Sequence, residues 1–211
     1  MVAIRAFRVF EGGKFGSGRF AEMASDELDT GNVVIRSLFA SVNYKDALTA
    51  LGRAKIVTRF PCTAGIDVCG EVTQSGDPRF KPGERVMAHG FGIGADHDGG
   101  YQDVNRLPAD WLVKIPASLT PFETAAIGVA GYTAALSVDL MELNGLAPGK
   151  GKVLVNGASG GAASVAIDLL AGRGYQVVSL SVRPEAAGYL PALGAAVVID
   201  RKPFDIGHRP F

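Results

Sequence analysis

One stretch constrains the fold of this chain more than any other. The apolar run Val153-Leu154-Val155 passes directly into "NGASGGAASVA", Asn156 to Ala166. A short strand, a glycine-rich turn and a helical apolar pattern (Val165, Leu169, Leu170) follow in the order that a dinucleotide-binding loop requires. Read as A-x-G-x-x-A, the stretch puts Ala158 at the tight turn and Gly160 where the backbone must approach phosphates. Ala163 falls where the helix packs close to the strand, a position that accepts Gly or Ala. The helix N-terminus offers unpaired N–H groups and a partial positive charge to a pyrophosphate. A glycine-rich connection without a ligand accounts for the same residues, because a lone glycine pattern has low specificity.

The next strand adds a second constraint. Tyr175 to Ser181, "YQVVSLS", ends about 20 residues past the loop, where an Asp or Glu would bind the ribose 2′-OH of NAD. This chain carries Ser181-Val182-Arg183 there instead. A hydroxyl and a planar guanidinium suit a 2′-phosphate. The expected cofactor is therefore NADPH, against the reading of Arg183 as a solvated surface charge.

The 211 residues suggest one or two domains. With 21 basic and 21 acidic residues, no net field favours nucleic acid or an anionic membrane. No run reads as a membrane span, and "MVAIRAFRVF" lacks a signal peptide's apolar region, so a cytoplasmic location is expected. Cys62 and Cys69 have no standard zinc spacing, and His89, His97 and His208 are dispersed, so no metal site is expected.

Up to about Pro121 the pattern is of short strands between Gly, Pro and Asp turns, among them "NVVIRSLFASV", "IDVCGEVTQ" and "WLVKIP". That density predicts a β-rich, barrel-like domain over residues 1–121. From Thr120 the character changes: Thr120 is placed as an N-cap, Pro121 at N1 and Glu123 at N3 of a helix running through "TPFETAAIGVAGYTAALSVDLME". The strand–loop–helix–strand unit follows, then a second helix in "PEAAGYLPAL" and a third strand, "AAVVID". Such alternation predicts a parallel sheet with right-handed crossovers over residues 122–211.

Together, "SVNYKDALT", "GIDVCGEV", "DPRFKPGERVMAHGFGIG", "HDGGYQD" and "GASGGAASVA" followed by "SVR" resemble the medium-chain dehydrogenase/reductase superfamily. The similarity runs from Val2 to about Arg209, and within the superfamily it is strongest to the zinc-free, quinone-oxidoreductase-like branch that includes acrylyl-CoA reductases. The resemblance implies an α/β chain with a GroES-like N-terminal domain and the first half of a Rossmann domain. Zinc-dependent relatives place a Cys near the Asn43-Tyr44-Lys45-Asp46 position and a His in the Gly65-Ile66-Asp67 position. Without them, hydride transfer to an electron-poor C=C bond is implied rather than alcohol oxidation. The acceptor would be a small α,β-unsaturated molecule, with a quinone or enone reductase as the alternative.

The resemblance further implies that Tyr44 contacts the cofactor near its nicotinamide and that Ser159, Gly160, Gly161 and Ala162 hold the pyrophosphate. Ser181, Val182, Arg183 and Arg201 would surround the adenosine 2′-phosphate. Asn43, Tyr44 and Asp46 are the catalytic candidates. Asn43 and Asp46 also read as a cap on the helix "KDALTAL", and Tyr44 as a core aromatic. Asp98-Gly99-Gly100-Tyr101 reads first as a turn and second as lining for a substrate cleft. Two local departures from the family pattern are Ala162-Ala163, where Val-Gly is usual, and Val129, where a Thr is common. Family members run about half as long again and are expected to be homo-oligomers. This chain stops after its third βα strand, so an unpaired edge on the "VLVN" strand is expected, and with it either a truncated reductase or a non-catalytic nucleotide-binding remnant.

Overall fold

The computed structural model describes residues 3–204. Val2 and the stretch containing His208 and Arg209, named above, lie outside the described residues. The chain divides into two compact units, Met1–Val129 and Ala130–Phe211.

The first unit is built from two antiparallel sheets. In the smaller, β1 (Ile4–Phe10) lies between β2 (Ser17–Met23) and β4 (Cys62–Thr63). The larger has the order β7-β3-β5-β6-β8: Val104–Leu107, Val33–Phe39, Asp67–Ser75, Arg85–His89 and Val113–Lys114. Alternation along the strands sets the core face: Val33 and Ile35 of β3 and Val68 and Val72 of β5 lie in one core with Val86 and Leu107, although β5 is buried on both faces over Asp67–Gly70 and its pairing with β3 carries register shifts. The short helix α1 (Tyr44–Ala50) follows β3.

Helix α2 spans Pro121–Leu143, and its start follows the expected chemistry. The Thr120 N–H donates to the Glu123 carboxylate at 2.8 Å, and the Glu123 N–H donates to Thr120 Oγ1 at 3.2 Å, a reciprocal capping box. The sequence pattern did not anticipate a break inside this helix. Gly128 has φ 49° and ψ −155°, a conformation open in practice only to glycine. By length and composition alone, α2 is long and apolar enough to cross a bilayer, contrary to the sequence expectation. The break divides it into two arms, each below the roughly 20 residues a span needs.

In the second unit, β9 (Lys152–Asn156), α3 (Gly161–Gly172), β10 (Gln176–Ser181) and β11 (Ala195–Asp200) make a three-stranded parallel sheet of order β11-β10-β9. Ile167 and Leu170 of α3 pack with Val177, Leu190 and Val138, all fully or almost fully buried. The second helix expected in "PEAAGYLPAL" is corrected: the segment forms two 3₁₀ turns, Pro184–Gly188 and Pro191–Leu193. Pro191 lacks an N–H and would clash with the carbonyl four residues back, so one continuous α-helix cannot form. Gly194, at φ 97°, then turns the chain into β11. Among the described residues β9 pairs only with β10, and Leu154 on it is 60% exposed.

Candidate functional site

The second unit gathers its candidate residues at the C-terminal ends of β9, β10 and β11. Asn156 closes β9 and accepts the Gly157 N–H on its Oδ1 at 2.8 Å. Gly157, at φ 65°, opens a turn that the Gly160 N–H closes onto the Gly157 carbonyl at 2.8 Å, with Ala158 and Ser159 at its corners. Ala158 is fully buried, and its N–H donates to the Leu180 carbonyl at 2.9 Å, which fixes the loop to the end of β10. Ser164 Oγ braces the turn from inside α3, donating toward the carbonyls of Gly160 (2.9 Å) and Ala158 (3.2 Å).

Helix α3 starts at Gly161 with Gly160 as its N-cap, so no side chain caps it. The N–H groups of Gly161, Ala162 and Ala163 are first-turn donors without an intrahelical partner. Gly160, Gly161 and Ala162 are exposed, so this end of the helix presents bare backbone to solvent. Unpaired donors, the positive end of the helix dipole and the lack of side-chain bulk fit a pyrophosphate.

Ser181 is buried, and its Oγ is engaged within the loop: it accepts the Arg183 N–H at 3.1 Å and lies 3.3 Å from Ser159 Oγ. Its hydroxyl therefore shapes the chain leading to Arg183, while the Arg183 side chain and Val182 are exposed. The Arg201 N–H donates to the Ser181 carbonyl at 2.9 Å, and its guanidinium reaches Asn156 Oδ1 at 3.4 Å. Ser159, Ser181, Arg183 and Arg201 thus share one strand-end cluster. Asn156, which the sequence reading passed over, belongs to it; the signal was a polar side chain on the last residue before the glycine turn.

The first unit holds a second cluster, around the N-terminus of α1. Asn43 is the N-cap, and its N–H donates to Asp46 Oδ2 at 2.8 Å; its Nδ2 reaches Ser41 Oγ at 2.8 Å and Asp46 Oδ2 at 3.2 Å. The Ile66 N–H donates to Asp46 Oδ1 at 3.2 Å. Asp67 accepts the Ser41 N–H at 2.7 Å and, on its other oxygen, the Ser41 hydroxyl. The pairing of Asn43 with Asp46 is therefore a helix cap, and it is also one edge of a buried two-carboxylate network. Burial raises the Asp46 carboxyl above the usual range, with the charge of Asp67 acting in the same sense against the Asn43 donors. Burial lowers the His89 imidazole, and the nearby Asp67 opposes that shift. Tyr44 stands beside this network but is 80% exposed, which overturns its reading as a core aromatic.

Gly128 packs on the same network: a Cβ there would lie 3.0 Å from Ser41 Oγ and 3.2 Å from Asp67 Oδ2. The Asp98-Gly99-Gly100-Tyr101 segment is not the turn expected from its sequence: it bends only at Gly100 and Tyr101 and runs alongside residues 63–65, its Gly99, Gly100 and Tyr101 N–H groups donating to the carbonyls of Thr63, Gly65 and Ala64. It also lines a cavity of about 680 Å³ through Gly100 and Tyr101, with Phe7, Phe20, Phe39 and Asp46. The Tyr101 hydroxyl donates to the Ser41 carbonyl at 2.8 Å. Cys62 and Cys69 are buried, and burial pushes both thiols up to about 12, with Asp67 acting in the same sense on Cys69.

Residues 29–117 match the alcohol dehydrogenase GroES-like domain. The chain is 43% identical over 180 residues to YhfP of Bacillus subtilis, a protein named for quinone oxidoreduction, and 42% identical over 180 residues to the acrylyl-CoA reductase AcuI of Ruegeria pomeroyi. Each match takes in 85% of this chain and 54% of the relative, so the chain spans about half the length of the curated relatives it matches. The yhdH oxidoreductase of Salmonella enterica, solved in complex with NADP, superposes with a TM-score of 0.90 at 39% identity, covering 98% of this chain and 64% of that one. Bacillus subtilis yhfP with NAD bound gives a TM-score of 0.90 at 39% identity, covering 96% and 62%. The chain belongs to the medium-chain dehydrogenase/reductase superfamily.

Proposed function

We propose that this is the NADPH-binding part of a zinc-independent reductase acting on an activated C=C bond, with an acrylyl-CoA-like thioester as acceptor. The observation that carries the reading is the strand-end cluster: bare first-turn N–H groups at the start of α3, with the loop's Ser159 3.3 Å from Ser181, to which Arg183 and Arg201 are joined through their backbone N–H groups. Ser159, Gly160, Gly161 and Ala162 hold the pyrophosphate. Arg183 and Arg201 take the 2′-phosphate, Ser181 sets the backbone that carries Arg183, and Val182 lies against the adenosine. Tyr44, exposed at the start of α1, contacts the nicotinamide end.

Held by these residues, NADPH would supply the hydride equivalent for reduction of the acceptor's C=C bond, with the accompanying proton drawn from solvent. The chain's own residues bind and orient. Asn43 and Asp46, joined to Asp67 through Ser41, keep a polar floor beside the apolar cavity. By the resemblance, Asn43-Tyr44-Lys45-Asp46 and Gly65-Ile66-Asp67 stand where zinc-dependent relatives carry a thiolate and an imidazole, so the donor set for a catalytic zinc is missing from those positions. We divide the chain functionally into a substrate domain, residues 1–121, and a cofactor domain, residues 122–211, working in the cytoplasm. The similarity to a relative named for quinone oxidoreduction favours a quinone or enone as the second reading.

NADPH consumption with acrylyl-CoA and with a simple quinone tests this reading. Faster oxidation with acrylyl-CoA is expected; quinone turnover alone would move the assignment to the second reading. A version extended to the length of the relatives that binds NADPH and turns over neither acceptor would overturn the reductase reading, leaving a nucleotide-binding module; this chain alone is expected to bind NADPH with little or no turnover.

A further inference from the structure

Four side chains of the first unit form a directed hydrogen-bond relay that ends at the cavity. Thr63 Oγ1 donates to Gln102 Oε1 at 3.0 Å, Gln102 Nε2 donates to Asn105 Oδ1 at 2.8 Å, and Asn105 Nδ2 donates to Ser37 Oγ at 2.9 Å. Thr63, Gln102 and Asn105 are buried, whereas Ser37, on β3, is half-buried and lines the cavity. Turning both amides about would run the relay backwards. The Thr63 hydroxyl would then be its free end, in a fully buried position where an unpaired O–H is costly. The direction above instead leaves the uncommitted proton on Ser37, at the open end. Its Oγ accepts from Asn105 and donates to no described residue.

We propose that Ser37 Oγ is the hydrogen-bond donor to the acceptor's carbonyl oxygen, and that the cavity of the first unit holds the short apolar chain attached to that carbonyl. This rests on the reductase reading above and names the group that recognises its substrate. The walls suit such a ligand: Phe7 and Phe20 meet edge to face with centroids 5.2 Å apart, and Phe39 lines the same space. Arg5 also lines it, but its guanidinium is engaged with Asp103 at 3.1 and 3.3 Å, which leaves no uncompensated cation to select a charged group. The other polar groups of the lining are engaged, Asp46 by the Asn43 and Ile66 N–H groups and the Tyr101 hydroxyl by the Ser41 carbonyl, so the Ser37 hydroxyl among largely apolar walls suits a neutral carbonyl. A chain of aligned hydrogen bonds polarises its last member and strengthens it as a donor.

Two probes differing only in the carbonyl test this on the unmodified chain. Ethyl thiopropionate is a saturated thioester that is neither reduced nor alkylating; ethyl propyl sulfide has a CH₂ in place of its carbonyl. In an NMR titration the thioester is expected to bind about 3- to 10-fold more tightly than the sulfide, with shifts centred on Ser37, Phe39 and Tyr101. Ser37→Ala is expected to abolish that preference. Equal affinity for the two probes, shifts centred elsewhere, or no thioester binding at millimolar concentration would overturn the proposal. The first comparison needs no variant, so it holds even if Ser37→Ala folds poorly. NADPH binding, titrated separately, reports on the reductase reading: intact NADPH binding without thioester preference removes Ser37 alone.

Discussion

Burial decides the chemistry of the two thiols. Cys62 and Cys69 are 0% and 2% exposed, and both are held up to about 12, so neither forms a thiolate near neutral pH. A thiol-reactive dye should leave both unmodified in the folded chain at pH 8 and label both after unfolding; rapid labelling of the folded chain would contradict this. The shift also sets a pH dependence. The unfolded thiols ionise near 9 and the folded ones only near 12, so the unfolded state sheds protons first and stability falls as pH rises from about 9 toward 12. Replacing both cysteines by alanine should flatten that part of the stability curve, as urea titrations at several pH values would show. At this scale the sequence was only partly legible. Arg183 was readable because its distance from a glycine loop carries meaning. The burial of Ser181 and the exposure of Tyr44 were not, because both depend on how neighbouring elements pack.

Local rules account for most of the elements. Thr120, Pro121 and Glu123 specify the start of α2 through a capping box visible in the sequence, and Thr120→Ala should cost about 1 kcal/mol in thermal unfolding. The break at Gly128 was not legible, because a glycine within an apolar helical pattern gives no sign of what packs against it. A Cβ there would meet Ser41 and Asp67 in a backbone conformation that only glycine adopts freely. Gly128→Ala should therefore destabilise by about 1–3 kcal/mol, whereas an ordinary helical glycine would gain stability from the same change. A higher melting temperature for Gly128→Ala would show that the break is not built in. The "PEAAGYLPAL" segment failed for the opposite reason: its alanines read as helix, but Pro191 prevents continuity.

Over the whole molecule, the alternation of short strands and then of strand, helix and strand was sufficient to read a β-rich region followed by a parallel sheet, whereas the antiparallel pairing of the first region into two sheets was not read. The pairing of the second unit, β11-β10-β9, leaves Leu154 60% exposed on a strand edge unpaired among the described residues. Such an edge is a template for association, so Leu154→Lys should lower concentration-dependent self-association in sedimentation velocity, and an unchanged profile would show the edge to be inert. The loop, the bare end of α3 and Arg183 are all encoded within one unit and should bind NADPH in preference to NADH. Calorimetric titration of the chain with each nucleotide tests this most directly. NADPH should bind more tightly, and Arg183→Ala should lose at least about 10-fold in NADPH affinity, the effect of removing one charge-assisted hydrogen bond worth about 1.5–3 kcal/mol, with little change for NADH. Equal affinity for the two nucleotides, or NADPH binding indifferent to Arg183, would contradict it.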